Sequence, residues 1–397
     1  YFSQIPENIV VARNLATASA TAHLHPFKLY KLDDGPPSTA TCTREEALHF
    51  YETMQRIRRM ETTLSTLYKE KKVRGFCHLY SGQVSDIIDL TSVICFGEAV
   101  AVGVEAALSP GDAIITAYRC HGFLITRGES VASVIGELMG KSNGNVAGKG
   151  GSMHMYCHEF YGGNGIVGAQ VQVPLGAGIA LHKKRNGTNN VCVTMYGDGA
   201  SNQGQVFETF NMAKLWNLPC IFICENNKYG MGTSISRSSS NTAYYTRGDV
   251  IPGIWADGMD VLTVREAMRY ATDWCRSGKG PIIVEMETYR YFGHSMSDPG
   301  TSYRTRDEIQ TVRRERDPII LFGRFMTSSG LATDDEIKVI FQAIDKKIRQ
   351  EVENDVATCE NSPPPPIDSA YTGVYRSYPS NFGIRGTDIT QWIVPKC

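Results

Sequence analysis

Gly197-Asp198-Gly199 is followed, after residues 200–225, by Asn226-Asn227. Small glycines let backbone amides approach a phosphate where a strand turns into a helix. An Asp carboxylate and an Asn side-chain carbonyl are hard oxygen ligands, of the kind a magnesium ion shares with substrate phosphates. Taken alone, Gly-Asp-Gly is equally a strand turn with an Asx cap. The Asn pair at this spacing, behind a second apolar run, favours a metal–diphosphate clamp in which Asp198 and Asn227 come from adjacent strand ends. Arg119 suits phosphate oxygens because its planar fork bonds two at once. His294 is of the side-chain type that titrates near neutral pH.

Such residues need a frame to bring them together. Four short apolar runs, Asp112–Ala117, Val191–Tyr196, Pro219–Cys224 and Pro281–Glu287, lack polar alternation. Continuous apolar character suits strands covered on both faces, as in a parallel sheet flanked by helices. The expected fold class is therefore α/β, an open doubly wound, mostly parallel sheet. Folds of this kind place ligands beyond the carboxyl ends of their strands. Tyr118, Arg119 and His121 follow the first run, and Gly197, Asp198 and Gly199 the second. Glu225, Asn226 and Asn227 follow the third, and Arg290, His294 and Ser295 the fourth. That edge is the expected active-site rim. Residues 43–72 predict a long helix, with a Thr43/Glu46 capping box and an apolar stripe from Leu48 to Leu67. Residues 334–356 predict an amphipathic helix with Ile337, Ile340, Phe341, Ile344 and Ile348 on one face.

Composition narrows the function classes. Of 397 residues, 42% are hydrophobic and 20% charged, an ordinary globular balance. Forty basic against 41 acidic residues leave a net charge of −1, which argues against a nucleic-acid or anionic-membrane binder. No apolar run reaches the length of a membrane span. The 11 cysteines include no CxxC pair, and Cys192, Cys220 and Cys224 sit in apolar runs, which reads as buried reduced thiols in a reducing compartment. Gly163-Asn-Gly-Ile-Val-Gly168 satisfies GxGxxG but follows a polar segment rather than a strand, so no dinucleotide site is expected. Gly148-Lys149 lacks the Ser or Thr of a phosphate-binding P-loop, and Met155 replaces the Glu that a zinc-protease pair His154/His158 would need.

The Gly-Asp-Gly to Asn-Asn constellation resembles the thiamine diphosphate motif. Arg74-Gly-Phe-Cys-His-Leu-Tyr80, Thr116-Ala-Tyr-Arg119, Gly148-Lys-Gly-Gly-Ser-Met-His-Met-Tyr156, Tyr161-Gly-Gly-Asn-Gly-Ile-Val-Gly-Ala-Gln170 and Tyr289-Arg-Tyr-Phe-Gly-His-Ser-Met-Ser-Asp-Pro-Gly300 extend the likeness. Together, from about Phe27 to Trp392, the chain resembles the alpha subunits of mitochondrial pyruvate dehydrogenases, within the thiamine diphosphate-dependent 2-oxo acid dehydrogenases. The resemblance implies a thiamine diphosphate-binding domain over 27–360. A presequence remnant or disordered N-terminus would occupy 1–26, and a Pro-rich linker and tail 361–397. It implies decarboxylation of pyruvate and reductive acetylation of lipoyl groups, an oxidoreductase reaction at an oxo group with a disulfide acceptor, in the mitochondrial matrix. Asp198, Asn227 and the Tyr229 carbonyl would bind magnesium. Tyr118, Arg119, Gly199 and Ala200 would hold the diphosphate. Cys157, Gly165 and Val167 would line the cofactor site. His78 would lie near pyruvate, His294 would serve acid–base or acyl-transfer steps, and Arg290 would support its loop. Partners implied are a beta subunit in an α2β2 heterotetramer, which supplies the glutamate that activates the cofactor, and the dihydrolipoyl acetyltransferase core. A kinase and a phosphatase would act on Ser234, Ser295 and Ser302.

Three departures from that pattern bear on activity. Fourteen residues, Val84–Gly97, a largely apolar segment with no basic residue, separate Gly82-Gln83 from Glu98-Ala99, which the family joins directly. Val171-Gln172 is a two-residue insertion, and Phe292 and Cys157 replace the usual His and Ala. A non-catalytic alpha-like subunit is the alternative reading from these changes. A branched-chain 2-oxo acid dehydrogenase alpha subunit is the other, and the His294–Gly300 loop resembles the pyruvate enzyme instead.

Overall fold

The computed structural model describes residues 19–73, 75–80, 97–168, 172–291, 293–371, 384–385 and 392–393. Residues 1–18, most of the Val84–Gly97 insertion (84–96), Val171 and Phe292 lie outside the described residues.

The strands are β1 Ser19–His23, β2 Lys28–Tyr30, β3 Thr39–Thr43, β4 Ala113–Ile115, β5 Cys192–Gly197, β6 Cys220–Asn226, β7 Tyr229–Gly230, β8 Thr233–Ser234, β9 Gly253–Asp257, β10 Ile282–Glu287, β11 Ile384–Arg385 and β12 Trp392–Ile393. A six-stranded sheet runs in the order β2-β9-β10-β6-β5-β4. Its strands are parallel except for the short edge strand β2. All four apolar runs become strands of this sheet, and β5 and β6, which lead to Asp198 and Asn227, are neighbours. Strand β9 has no counterpart among the expected strands. Its residues, Gly-Ile-Trp-Ala-Asp after a proline, form too short an apolar run to stand out.

The helices are α1 Arg44–Lys69, α2 Gly97–Glu105, α3 His121–Thr126, α4 Val131–Leu138, α5 Gln172–Arg185, α6 Gly204–Leu215, α7 Ile235–Ser238, α8 Val261–Arg276, α9 Arg306–Arg316, α10 Pro318–Ser328 and α11 Asp334–Asn361. Val193, Met195, Ile221, Ile223, Ile282 and Val284 join a core with α1, α2 and α8. Their neighbours Cys192, Tyr196, Cys220, Phe222, Cys224 and Ile283 face α5 and α6 in a second core. Successive strand residues point to opposite faces, so both faces are apolar and both are covered. The fold is α/β, with a mostly parallel central sheet flanked by helices.

Helix α1 begins at the expected capping box, with Thr43 Oγ1 accepting from the Glu46 amide and the Glu46 carboxylate accepting from the Thr43 amide. At the other end of the chain, α11 runs five residues beyond the expected stop. The chain after it is tied down, since the Ser142 amide donates to the Pro363 carbonyl. Ser19–His23, inside the expected N-terminal segment, pairs antiparallel with β3. Among the described residues no helix is long and apolar enough to cross a membrane. Cys192, Cys220 and Cys224 are free and buried.

One buried ion network ties three helices together. Arg58 of α1 donates to Glu98 of α2 at 3.2 Å and to both oxygens of Asp317 at 3.1 and 3.3 Å. Asp317 in turn caps α10, accepting from the Ile319 and Ile320 amides. The Arg58→Met variant strands two buried carboxylates. It should lose roughly 3–5 kcal/mol of stability, seen as a lower urea midpoint. A midpoint within error of the parent would refute this account of the network.

Candidate active site

Asp198 leaves the end of β5 and is 1% exposed. Its Oδ1 accepts from the Asn227 amide at 3.3 Å, while Oδ2 has no hydrogen-bond partner among the described residues. Burial raises the Asp198 carboxyl to about 6. A buried carboxylate oxygen without a donor is costly, and a bound cation is one way to satisfy it. Asn227 follows β6, and its Oδ1 accepts from the Tyr229 amide at 3.3 Å. The Tyr229 carbonyl accepts from Arg290 at 3.1 Å, leaving its second lone pair. Gly199 packs against Gly230, where an added Cβ would lie 3.4 Å from the Gly230 Cα. Ala200, buried, opens a short 3-10 turn after it.

A second group stands at the ends of β4 and β10. The rings of His78, Tyr118 and His294 have centroids 4.7 Å (His78–Tyr118), 5.3 Å (His78–His294) and 5.5 Å (Tyr118–His294) apart. Arg119 locks this trio, donating to the Leu79 carbonyl at 2.7 Å and to the His294 carbonyl. The His294 amide donates to Asp298 at 2.6 Å, and the Tyr303 hydroxyl to the same oxygen at 2.7 Å. Arg290 donates to Tyr303, Tyr229 and Met231, which joins the His294 loop to the β7–β8 hairpin. Glu225, at the end of β6, is raised to about 7 by burial, against the pull of Arg119.

Burial, then the charge of Arg119, lowers His78 to about 3 and His294 to about 4. Both rings are neutral at pH 7. Their Nδ1 atoms are buried without a partner among the described residues. Depressed histidines contribute stability that is present above the ordinary value of 6.5 and is lost as pH falls towards 4. The thermal midpoint of the parent should therefore drop between pH 7 and pH 4, and drop less in His294→Gln. Equal drops in the two proteins would count against a neutral, buried His294.

The loop 161–168 borders both groups. An added Cβ at Gly163 would meet the Ala117 carbonyl at 2.5 Å, so the loop lies against the Tyr118–Arg119 turn. The Val167 carbonyl accepts from Gln203, just past the Asp198 turn. Gly165 sits by Met153, and Cys157 is tied to Phe160 through its backbone. Among the described residues no hydrogen bond, ion pair or ring contact joins Gly165 or Cys157 to Asp198, His78 or His294. Burial pushes the Cys157 thiol up to about 11, so it is not a thiolate at neutral pH. Ser295 and Ser234 are half-buried and Ser302 is exposed.

Glu61, Ser152, Asp298 and Tyr303, near these groups, were not singled out from sequence, and His121 was placed on the expected rim without a role. Glu61 interrupts the buried stripe of α1 between Met60 and Leu64, and a carboxylate in that phase is the signal that could have found it. Ser152 and Tyr303 carry no such signal.

Residues 52–368 match the model of a family described as "Dehydrogenase E1 component". The chain is 55% identical over 377 residues to the pyruvate dehydrogenase E1 component subunit alpha type I, mitochondrial, of Ascaris suum, covering 95% of this chain and 90% of that one. It is 56% identical over 382 residues to a probable pyruvate dehydrogenase E1 component subunit alpha, mitochondrial, of Caenorhabditis elegans, covering 96% and 90%. It is 54% identical over 385 residues to the somatic-form mitochondrial subunit alpha of Homo sapiens, covering 97% and 93%.

Proposed function

The chain belongs to the dehydrogenase E1 component family, and from that premise we propose that it is the alpha subunit of a mitochondrial pyruvate dehydrogenase. It works with a beta subunit in an α2β2 assembly and passes acetyl groups to lipoyl groups of a dihydrolipoyl acetyltransferase core, in the matrix. The cofactors are thiamine diphosphate and magnesium. The observation that carries the reading is an orphaned buried carboxylate past the end of β5 together with a pair of neutral histidines locked by Arg119, which follows the neighbouring strand β4 of the same sheet.

The residues present fit these groups. Among the described residues no cluster of three His, Cys, Asp or Glu gathers at Asp198. Magnesium wants about six oxygens, so Asp198, Asn227 and the Tyr229 carbonyl would share it with the diphosphate and water. Arg119 and Arg290 bring positive charge, and Tyr118, Gly199 and Ala200 flank the same edge. Gly165, Val167 and Cys157 border the cofactor on the 157–168 side.

When bound, thiamine diphosphate supplies the carbon nucleophile and electron sink on which a 2-oxo acid loses carbon dioxide. The chain's own residues hold and orient the reactants. His78 faces pyruvate and His294 moves a proton at its free Nδ1. Arg290, through Tyr303 and Asp298, keeps the His294 loop in place. Ser295, Ser302 and Ser234 are the sites for a kinase and a phosphatase. A phosphate on Ser295 adds nearly two negative charges beside His294, opposing the diphosphate.

The Val84–Gly97 insertion is compatible with this role. None of the site side chains comes from it. The Tyr80 ring before it lies against Gly97 at its end, and Glu98 is anchored on Arg58. The test is carbon dioxide release from pyruvate by the chain co-expressed with a matching beta subunit. Release should require thiamine diphosphate, magnesium and the beta chain. A folded α–β assembly that releases none with all three overturns the reading.

A further inference from the structure

A chain of buried polar groups runs from α1 to His78. Glu61 Oε1 lies 2.6 Å from His121 Nδ1, and His121 Nε2 lies 3.0 Å from Ser152 Oγ. Ser152 Oγ accepts from the His78 amide at 3.1 Å. The other oxygen of Glu61 accepts from the Tyr80 amide at 2.6 Å. Glu61 and His121 are 0% exposed and Ser152 is 4% exposed. Arg119, two residues before His121, takes the carbonyl between those two amides, that of Leu79.

Segment 78–80 is thus held through three consecutive backbone groups, none of them in a regular element. All three bonds come from side chains of α1, of the α3 entry or of the short turn at Ser152. Such loops ordinarily lean on their own backbone or on water. Here the fixing groups come from three separate parts of the fold and converge on the residue that presents an imidazole to the site. The last residue held, Tyr80, immediately precedes the stretch that contains the insertion.

We propose that Glu61, His121 and Ser152 are positioning residues that fix His78 for turnover. This rests on the reading of the site given above. None of the three touches substrate or cofactor. They act through the backbone of 78–80, and a small displacement of a reacting group can cost turnover heavily.

The test uses the complex with the beta subunit and three variants, Ser152→Ala, Glu61→Met and His78→Ala. Amide exchange is read at His78 and Tyr80. Ser152→Ala should speed exchange at His78 roughly tenfold or more, and Glu61→Met should do the same at Tyr80, since each deletes the acceptor. Ser152→Ala should lower kcat by about tenfold with KM for pyruvate nearly unchanged. In a His78→Ala background the same change should cost less than about twofold, because two residues that act through one group do not add. Unchanged exchange at 78–80, or a kcat loss that multiplies with that of His78→Ala, overturns the proposal. Exchange reads the chain even in a complex that does not turn over pyruvate, so failure of the substrate reading and failure of the positioning chain are told apart.

Discussion

Asp198→Asn should abolish cofactor-dependent turnover and at the same time stabilise the cofactor-free protein. The substitution keeps shape and loses charge. Turnover should fall by on the order of 10³-fold or more, the effect of several kcal/mol of lost cation binding, and magnesium should no longer help retain thiamine diphosphate. The stability change has the opposite sign. Burial raises the Asp198 carboxyl from 3.8 to about 6. A carboxyl raised by folding gives stability that is present below its unfolded value and lost as pH rises through its folded value. Above pH 6 the parent carries a buried, half-partnered charge at a cost on the order of 3 kcal/mol. Asparagine removes that cost, so the thermal midpoint at pH 8 should rise by about 2–5 °C and the gain should shrink by pH 4. Full turnover by the variant would sink the metal role. A lower midpoint at pH 8 would sink the argument from burial.

The same residue shows how far the sequence could be read. The placement of Asp198 and Asn227 past the ends of neighbouring strands was legible because a strand and a turn signal coincide at each within a few residues. The four apolar runs were legible because strands covered on both faces carry no polar alternation. The neutral state of His294 was not legible. Its residue type points to titration near neutral pH, but burial and Arg119, from a different strand end, take it to about 4. Nor was the support beneath His78. Glu61, His121 and Ser152 meet only in three dimensions, and no spacing in one chain encodes a contact between α1, α3 and a remote turn. Strand β9 escaped for a simpler reason, since its apolar run is short and opens with glycine.

Arg119 separates geometry from charge, and two substitutions should show it. Its guanidinium reaches the Leu79 and His294 carbonyls at once, so one side chain fixes the spacing of the His78 and His294 loops. Lysine keeps the charge but presents a single ammonium on a flexible stem. Arg119→Lys should therefore lower kcat/KM by roughly 10²–10³-fold through misplacement, while His294 stays depressed because a positive charge remains beside it. Arg119→Gln removes the charge as well. The Arg119 charge is, after burial, the next cause that lowers both His78 and His294, so in this variant both should climb back towards 6.5. Histidine proton titration by NMR reads that climb without turnover. A fold that needs Arg119 only for its charge would give a lysine variant close to the parent in kcat/KM. One that needs it only as a bridge would leave the two histidines where they are in the glutamine variant. The expected result is neither: loss of turnover in both, and a rise of the histidines in the glutamine variant alone. This follows because the side chain that would meet the diphosphate is also the one that ties the two loops together.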